Sequence, residues 1–163
     1  MKPETLDKEV VDLLIKRLKD EYDAFYLYRS ASNWCKGVGF FKAGDFFAAE
    51  STDELGHAKK IEDYLVDWNV IVELPTVQGP PIEFPSLLSV IEKAYETEYA
   101  LYSAYEDTSK KMFDMDLCVF DFLQEFRMLQ KKSVAEYSDK LNMAEGTNME
   151  DKFQALMLEK KLF

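Results

Sequence analysis

The chain has 163 residues, enough for one domain with a real hydrophobic core. Hydrophobic residues make up 47%, aromatic residues 14% and charged residues 31%, so the chain has ample material to bury and does not read as disordered. Lys and Arg number 20 against 31 Asp and Glu, a formal charge of −11, which argues against nucleic acid and anionic membranes as partners and favours cations.

Cys35 and Cys118 are too few and too far apart for a disulfide framework, and no Cys-x-x-Cys pair exists for zinc or redox chemistry. Residues 1–12 lack the basic start and apolar run of a signal peptide, and no stretch of about 18 apolar residues exists to span a bilayer. The expected compartment is the cytoplasm. His57 is the single histidine.

In chain order, apolar residues at helical spacing predict a first helix over residues 8–36, with a seam of Leu14, Leu18, Glu21, Phe25, Tyr28 and Ser32. A second spans 41–68, with Phe47, Glu50, Glu54, His57, Ile61, Tyr64 and Trp68 on its seam. Residues 69–84 read as an extended crossover rich in Pro, Val and Ile. The third helix begins near Pro85 and ends near Lys111, on Leu87, Ile91, Ala94, Glu98, Leu101 and Tyr105. The fourth covers 116–144, on Phe120, Leu123, Phe126, Gln130, Val134, Tyr137 and Leu141. Residues 149–163 suggest a short fifth helix on Phe153, Leu156, Met157 and Leu162. Short links make neighbours antiparallel, and a long crossover lets helices two and three run parallel. The pattern is an all-α four-helix bundle over residues 1–145, followed by a short C-terminal helix or tail over 146–163.

Every seam carries a polar residue where a bundle wants Leu: Glu21, the trio Glu50, Glu54 and His57, then Glu98, then Gln130. An unpaired carboxylate in an apolar core costs several kcal/mol. A cation held between the helices accounts for all of them together. Glu54 and His57, three residues apart, share one helix face. With Glu21 and Glu98 they suit two iron-sized cations bridged by Glu54, with zinc and manganese as competitors. Symmetric di-iron bundles use two Glu-x-x-His units, and one histidine does not supply them.

The chain resembles a bacterial non-haem ferritin over nearly its whole length. The resemblance rests on Glu21-Tyr22 with Tyr28, on Asp53-Glu54-Leu55-Gly56-His57-Ala58, on Glu98, and on Phe120-Asp121-Phe122-Leu123-Gln124 followed by Gln130. It implies a ferritin-like bundle that oxidises ferrous iron with dioxygen or hydrogen peroxide. Ferric mineral would be stored in a hollow homo-oligomer of twenty-four chains. It implies iron ligands Glu21, Glu54 and His57 at one position and Glu54 and Glu98 at the next, with Gln130 close by and Tyr28 as an electron donor. Leu129, Lys132 and Ser133 stand where several bacterial ferritins carry acids for a third iron. Haem is not expected. Two alternatives stay open: a di-metal oxidase of the same fold that stores nothing, and a metal-free helical interaction protein.

Overall fold

A computed structural model describes residues 6–163 and contains five helices and, among the described residues, no strand. They are α1 (Lys8–Gly37), α2 (Phe41–Asp67), α3 (Leu87–Met115), α4 (Leu117–Ala144) and α5 (Lys152–Leu162). The expectations about the N-terminal stretch and the start of the bundle fall partly on residues 1–5, outside the described residues.

Contacts between helices fix their directions. Ser32 Oγ donates to the Gly44 carbonyl and Tyr22 to Glu62, so α1 and α2 are antiparallel. Tyr28 meets Glu98 and Arg17 meets Thr108, so α1 and α3 are antiparallel too. Helices α2 and α3 therefore run parallel, and residues 68–86 make the crossover that this requires. The crossover is tied down by Ser30 donating to the Pro81 carbonyl and by Phe84 edge-on to Trp34, ring centroids 5.6 Å apart.

Local chemistry sets the ends. Helix α2 stops at Asn69, whose φ of 64° is a left-handed conformation that Asn tolerates. Gly44 sits where a Cβ would fall 2.5 Å from Lys36 Cγ and 3.2 Å from the Ser32 carbonyl, so a side chain there would force Lys36 aside and crowd the α1 backbone. Helix α3 begins at Leu87 rather than Pro85, because Ser86 and Ser89 exchange side-chain and backbone hydrogen bonds in a capping box. It also continues past Lys111 to Met115. Asp116 alone joins α3 to α4: its N–H donates to Met112 O at 2.8 Å and its Oδ1 accepts from Val119 N at 3.0 Å.

The fifth helix forms, but on another face than the sequence suggests. It buries Ala155, Leu158, Glu159 and Leu162, and leaves Phe153, Leu156 and Met157 exposed. Glu159 contributes to this orientation: its carboxylate accepts from Ala43 N at 3.0 Å, in the first turn of α2. A carboxylate there satisfies an orphan donor and complements the helix dipole.

Candidate metal centre

The core is apolar at both ends of the bundle and polar in the middle. Glu21, Glu98 and Gln130 are each at most 1% exposed, Glu54 is 4% exposed, and His57 is half-buried. They come from all four long helices. Each occupies an inward seam position because its helix turns with the same period as its apolar neighbours.

Three of them converge. His57 Nδ1 lies 3.0 Å from Glu54 Oε2 and 3.5 Å from Glu21 Oε2, and one ligating atom from each residue falls within 4.8 Å of the others. Glu98 is not one of these three; its Oε1 accepts the Tyr28 hydroxyl. Gln130 follows Phe126 by one turn on α4, and the Phe126 ring meets His57 edge-on at 6.0 Å.

The remaining valences identify what the cluster can hold. Glu98 Oε2 and Gln130 Oε1 are buried with no hydrogen-bond partner, and Glu21 Oε2 has only the His57 imidazole, 3.5 Å away. All three are acceptors, and such groups in an apolar interior are costly unless something positive meets them. Carboxylate, amide and imidazole donors together suit a divalent first-row cation such as ferrous iron.

Protonation carries the same strain. Burial, then the charges of Glu21 and Glu98, push the Glu54 carboxyl well above its ordinary range, against the pull of His57. Burial likewise raises Glu98 to about 7, opposed by the Tyr28 hydrogen bond and reinforced by the charges of Glu50 and Glu21. For His57, burial acts downward, but hydrogen bonds to Glu21 and Glu54 outweigh it and lift the imidazole to about 10. Binding a metal must expel the proton on His57 before that nitrogen can ligate.

Sequence reasoning missed two tyrosines that serve this cluster. Tyr105, read as packing, donates its hydroxyl to Glu21 Oε1. Tyr137 donates to Glu50 Oε2 at 3.0 Å, so Glu50 is half-buried and partnered. The available signal was spacing: Tyr105 lies two turns beyond Glu98, and Tyr137 two turns beyond Gln130.

Comparison with known proteins agrees with this architecture. Residues 11–146 match the family model Ferritin, described as a ferritin-like domain. The chain is 39% identical over 120 residues to a bacterial non-heme ferritin of Campylobacter jejuni, covering 73% of this chain and 72% of that one. It is 30% identical over 141 residues to a probable bacterial non-heme ferritin-like protein of Haemophilus influenzae, covering 84% and 86%. Among solved structures, an open pore ferritin from Archaeoglobus fulgidus superimposes with a TM-score of 0.89 at 25% identity, covering 96% of both chains. A bundle of this topology, matched over most of its length, places the chain in the ferritin family, among relatives of the bacterial non-haem kind.

Proposed function

We propose that the protein is a ferroxidase and iron store. Ferrous iron enters as substrate and is oxidised by dioxygen or hydrogen peroxide at a two-iron position. The ferric product is kept as mineral inside a homo-oligomeric shell of twenty-four copies in the cytoplasm. The observation that carries this reading is the convergence of Glu21, Glu54 and His57 in the core, together with buried, unpartnered oxygens on Glu98 and Gln130. The names of the relatives, bacterial non-heme ferritins, support the storage role.

In this reading Glu21, Glu54 and His57 hold one ferrous ion, and Glu54 and Glu98 hold the second, with Gln130 alongside. Glu54 would be the shared ligand: it lies 3.0 Å from His57, and the charges of both Glu21 and Glu98 act on its carboxyl. Tyr105 fixes one oxygen of Glu21 and Tyr28 one oxygen of Glu98, leaving the other oxygen of each to face the metal. Anionic oxygens favour the ferric product over the ferrous substrate, and the surrounding apolar bundle limits water. Tyr28, buried against Glu98, supplies an electron to oxygen reduction and hands its proton to that carboxylate.

Assembly is supported by apolar side chains left at the surface, among them Phe41, Ile71, Ile82, Phe113, Leu117 and Phe153. Among the described residues no helix is long and apolar enough to cross a membrane. Of the bundle expected over residues 1–145, the described part carries α1 to α4, and α5 lies within 146–163.

The deciding experiment loads the purified protein with ferrous iron without air, then admits air, measuring particle mass and iron content together. A large shell that retains many irons per chain supports storage. A small oligomer that oxidises iron without retaining it points to the oxidase that stores nothing, and a chain that binds none points to an interaction module.

A further inference from the structure

Tyr137 is buried on α4, and its ring stacks on Tyr28 with centroids 6.4 Å apart and planes inclined by 15°. Each phenol has its own carboxylate. Tyr28 donates to Glu98 Oε1, and Tyr137 donates to Glu50 Oε2 at 3.0 Å. Glu98 is fully buried, whereas Glu50 is half-buried one turn before Glu54. The stacked rings therefore form a step that leads from the centre of the bundle toward a carboxylate that solvent reaches.

Removing an electron from a phenol makes its proton strongly acidic, so a phenol already bonded to a carboxylate is poised to lose both. Two such phenols in ring contact can exchange an oxidising equivalent. We infer that Tyr137 is a second redox tyrosine, which re-reduces Tyr28 after iron oxidation and is itself restored by a later ferrous ion near Glu50. This rests on the ferroxidase reading and extends it.

The steps balance. Tyr28 gives one electron to the oxygen being reduced and its hydroxyl proton to Glu98. Tyr137 then gives one electron to the Tyr28 phenoxyl, whose oxygen takes its proton back from Glu98, while the Tyr137 proton passes to Glu50. A ferrous ion near Glu50 gives one electron to the Tyr137 phenoxyl and becomes ferric, and Glu50 returns the proton. Both tyrosines end as they began, and one additional ferrous ion has been oxidised. Tyr137 acts through Tyr28 rather than on the iron in the centre.

The test mixes the assembled protein with two ferrous ions per chain in air, freezes it at intervals and follows the tyrosyl radical by electron paramagnetic resonance. A second addition of iron is then timed against the first. Tyr137→Phe keeps the stacked ring but removes the proton and electron source. Glu50→Gln keeps an oxygen that accepts the Tyr137 hydroxyl but takes no proton. In both, the Tyr28 radical is expected to persist several-fold longer, with the second round of oxidation slowed relative to the first. Tyr99→Phe, at an exposed tyrosine, is expected to follow the parent. Unchanged radical lifetime and second-round rate in the two variants overturn the inference, as does a parent that oxidises iron with no tyrosyl signal. A parent that does not oxidise iron rapidly overturns the ferroxidase reading itself. Should Tyr137→Phe fail to assemble, Glu50→Gln carries the same comparison.

Discussion

Tyr105 on α3 reaches across the bundle and donates its hydroxyl to Glu21 on α1. The other oxygen, Glu21 Oε2, faces His57 Nδ1 at 3.5 Å. A ligand's supporting hydrogen bond fixes its rotamer, so Tyr105→Phe should weaken ferrous binding and slow the fast phase of oxidation by about 10-fold or more. The number of irons oxidised per chain should stay the same, because no ligand is lost. Stopped-flow titration separates the two, and a changed stoichiometry at an unchanged rate would contradict it.

Glu98 makes the metal-free protein sensitive to pH. Its folded-state value of about 7 lies above the ordinary 4.5, so the folded chain holds this proton more tightly than the unfolded chain. The stability linked to it is fully present below about 4.5 and is lost as the pH rises to about 7. Glu98→Gln removes that loss. In metal-free samples the variant should be more stable than the parent at pH 8, by up to about 3 kcal/mol, with the gap closing toward pH 4.5. Denaturant titrations at a series of pH values measure this. A gap that widens on acidification would reverse the sign and refute it.

Glu50 and Glu54 lie one turn apart on α2, and chemistry rather than position separates them. If Glu54 is the ligand shared by both irons, as proposed above, Glu54→Ala should abolish the fast phase. Metal-free stability should hold or rise, since crowded buried carboxylates repel. Glu50→Ala should cost far less of the first burst and act mainly on later iron. Absorbance growth after ferrous addition in air ranks the two variants. The reverse ranking would place the centre one turn earlier on α2.

Leu129, Lys132 and Ser133 bring no carboxylate to α4 near Gln130. Two irons per chain should therefore be oxidised rapidly, not three. A break at three equivalents in the titration would require a third ligand set elsewhere.

The bundle was legible because its helices are long and their seams regular. Leu14, Leu18, Ile91, Leu123 and Phe126 fall at helical spacing, and the structure buries all of them. The polar seam residues were legible for the opposite reason, since Glu21, Glu98 and Gln130 break an apolar pattern that otherwise holds. The Tyr105–Glu21 bond was not legible. It joins residues 84 positions apart, and a tyrosine on a seam looks the same whether its hydroxyl has a task or not. The face of α5 was misread because a short helix presents apolar residues on both sides. Tertiary contacts select between them: the Glu159 bond to α2, the Lys140 bond to the Leu162 carbonyl, and Phe163 against Phe46 and Phe47.

Asp116 ends α3 and starts α4 with no residue to spare. Its consequence is rotational. Each residue added to a helix turns everything beyond it by about 100°. A single insertion beside Asp116 would swing Gln130 and Tyr137 off the interior unless the corner itself deformed. The crossover over residues 68–86 has length to absorb such a change, and this corner has none. The angular phase of α4, and with it the place of Gln130 in the core, is set by one aspartate 14 positions before it.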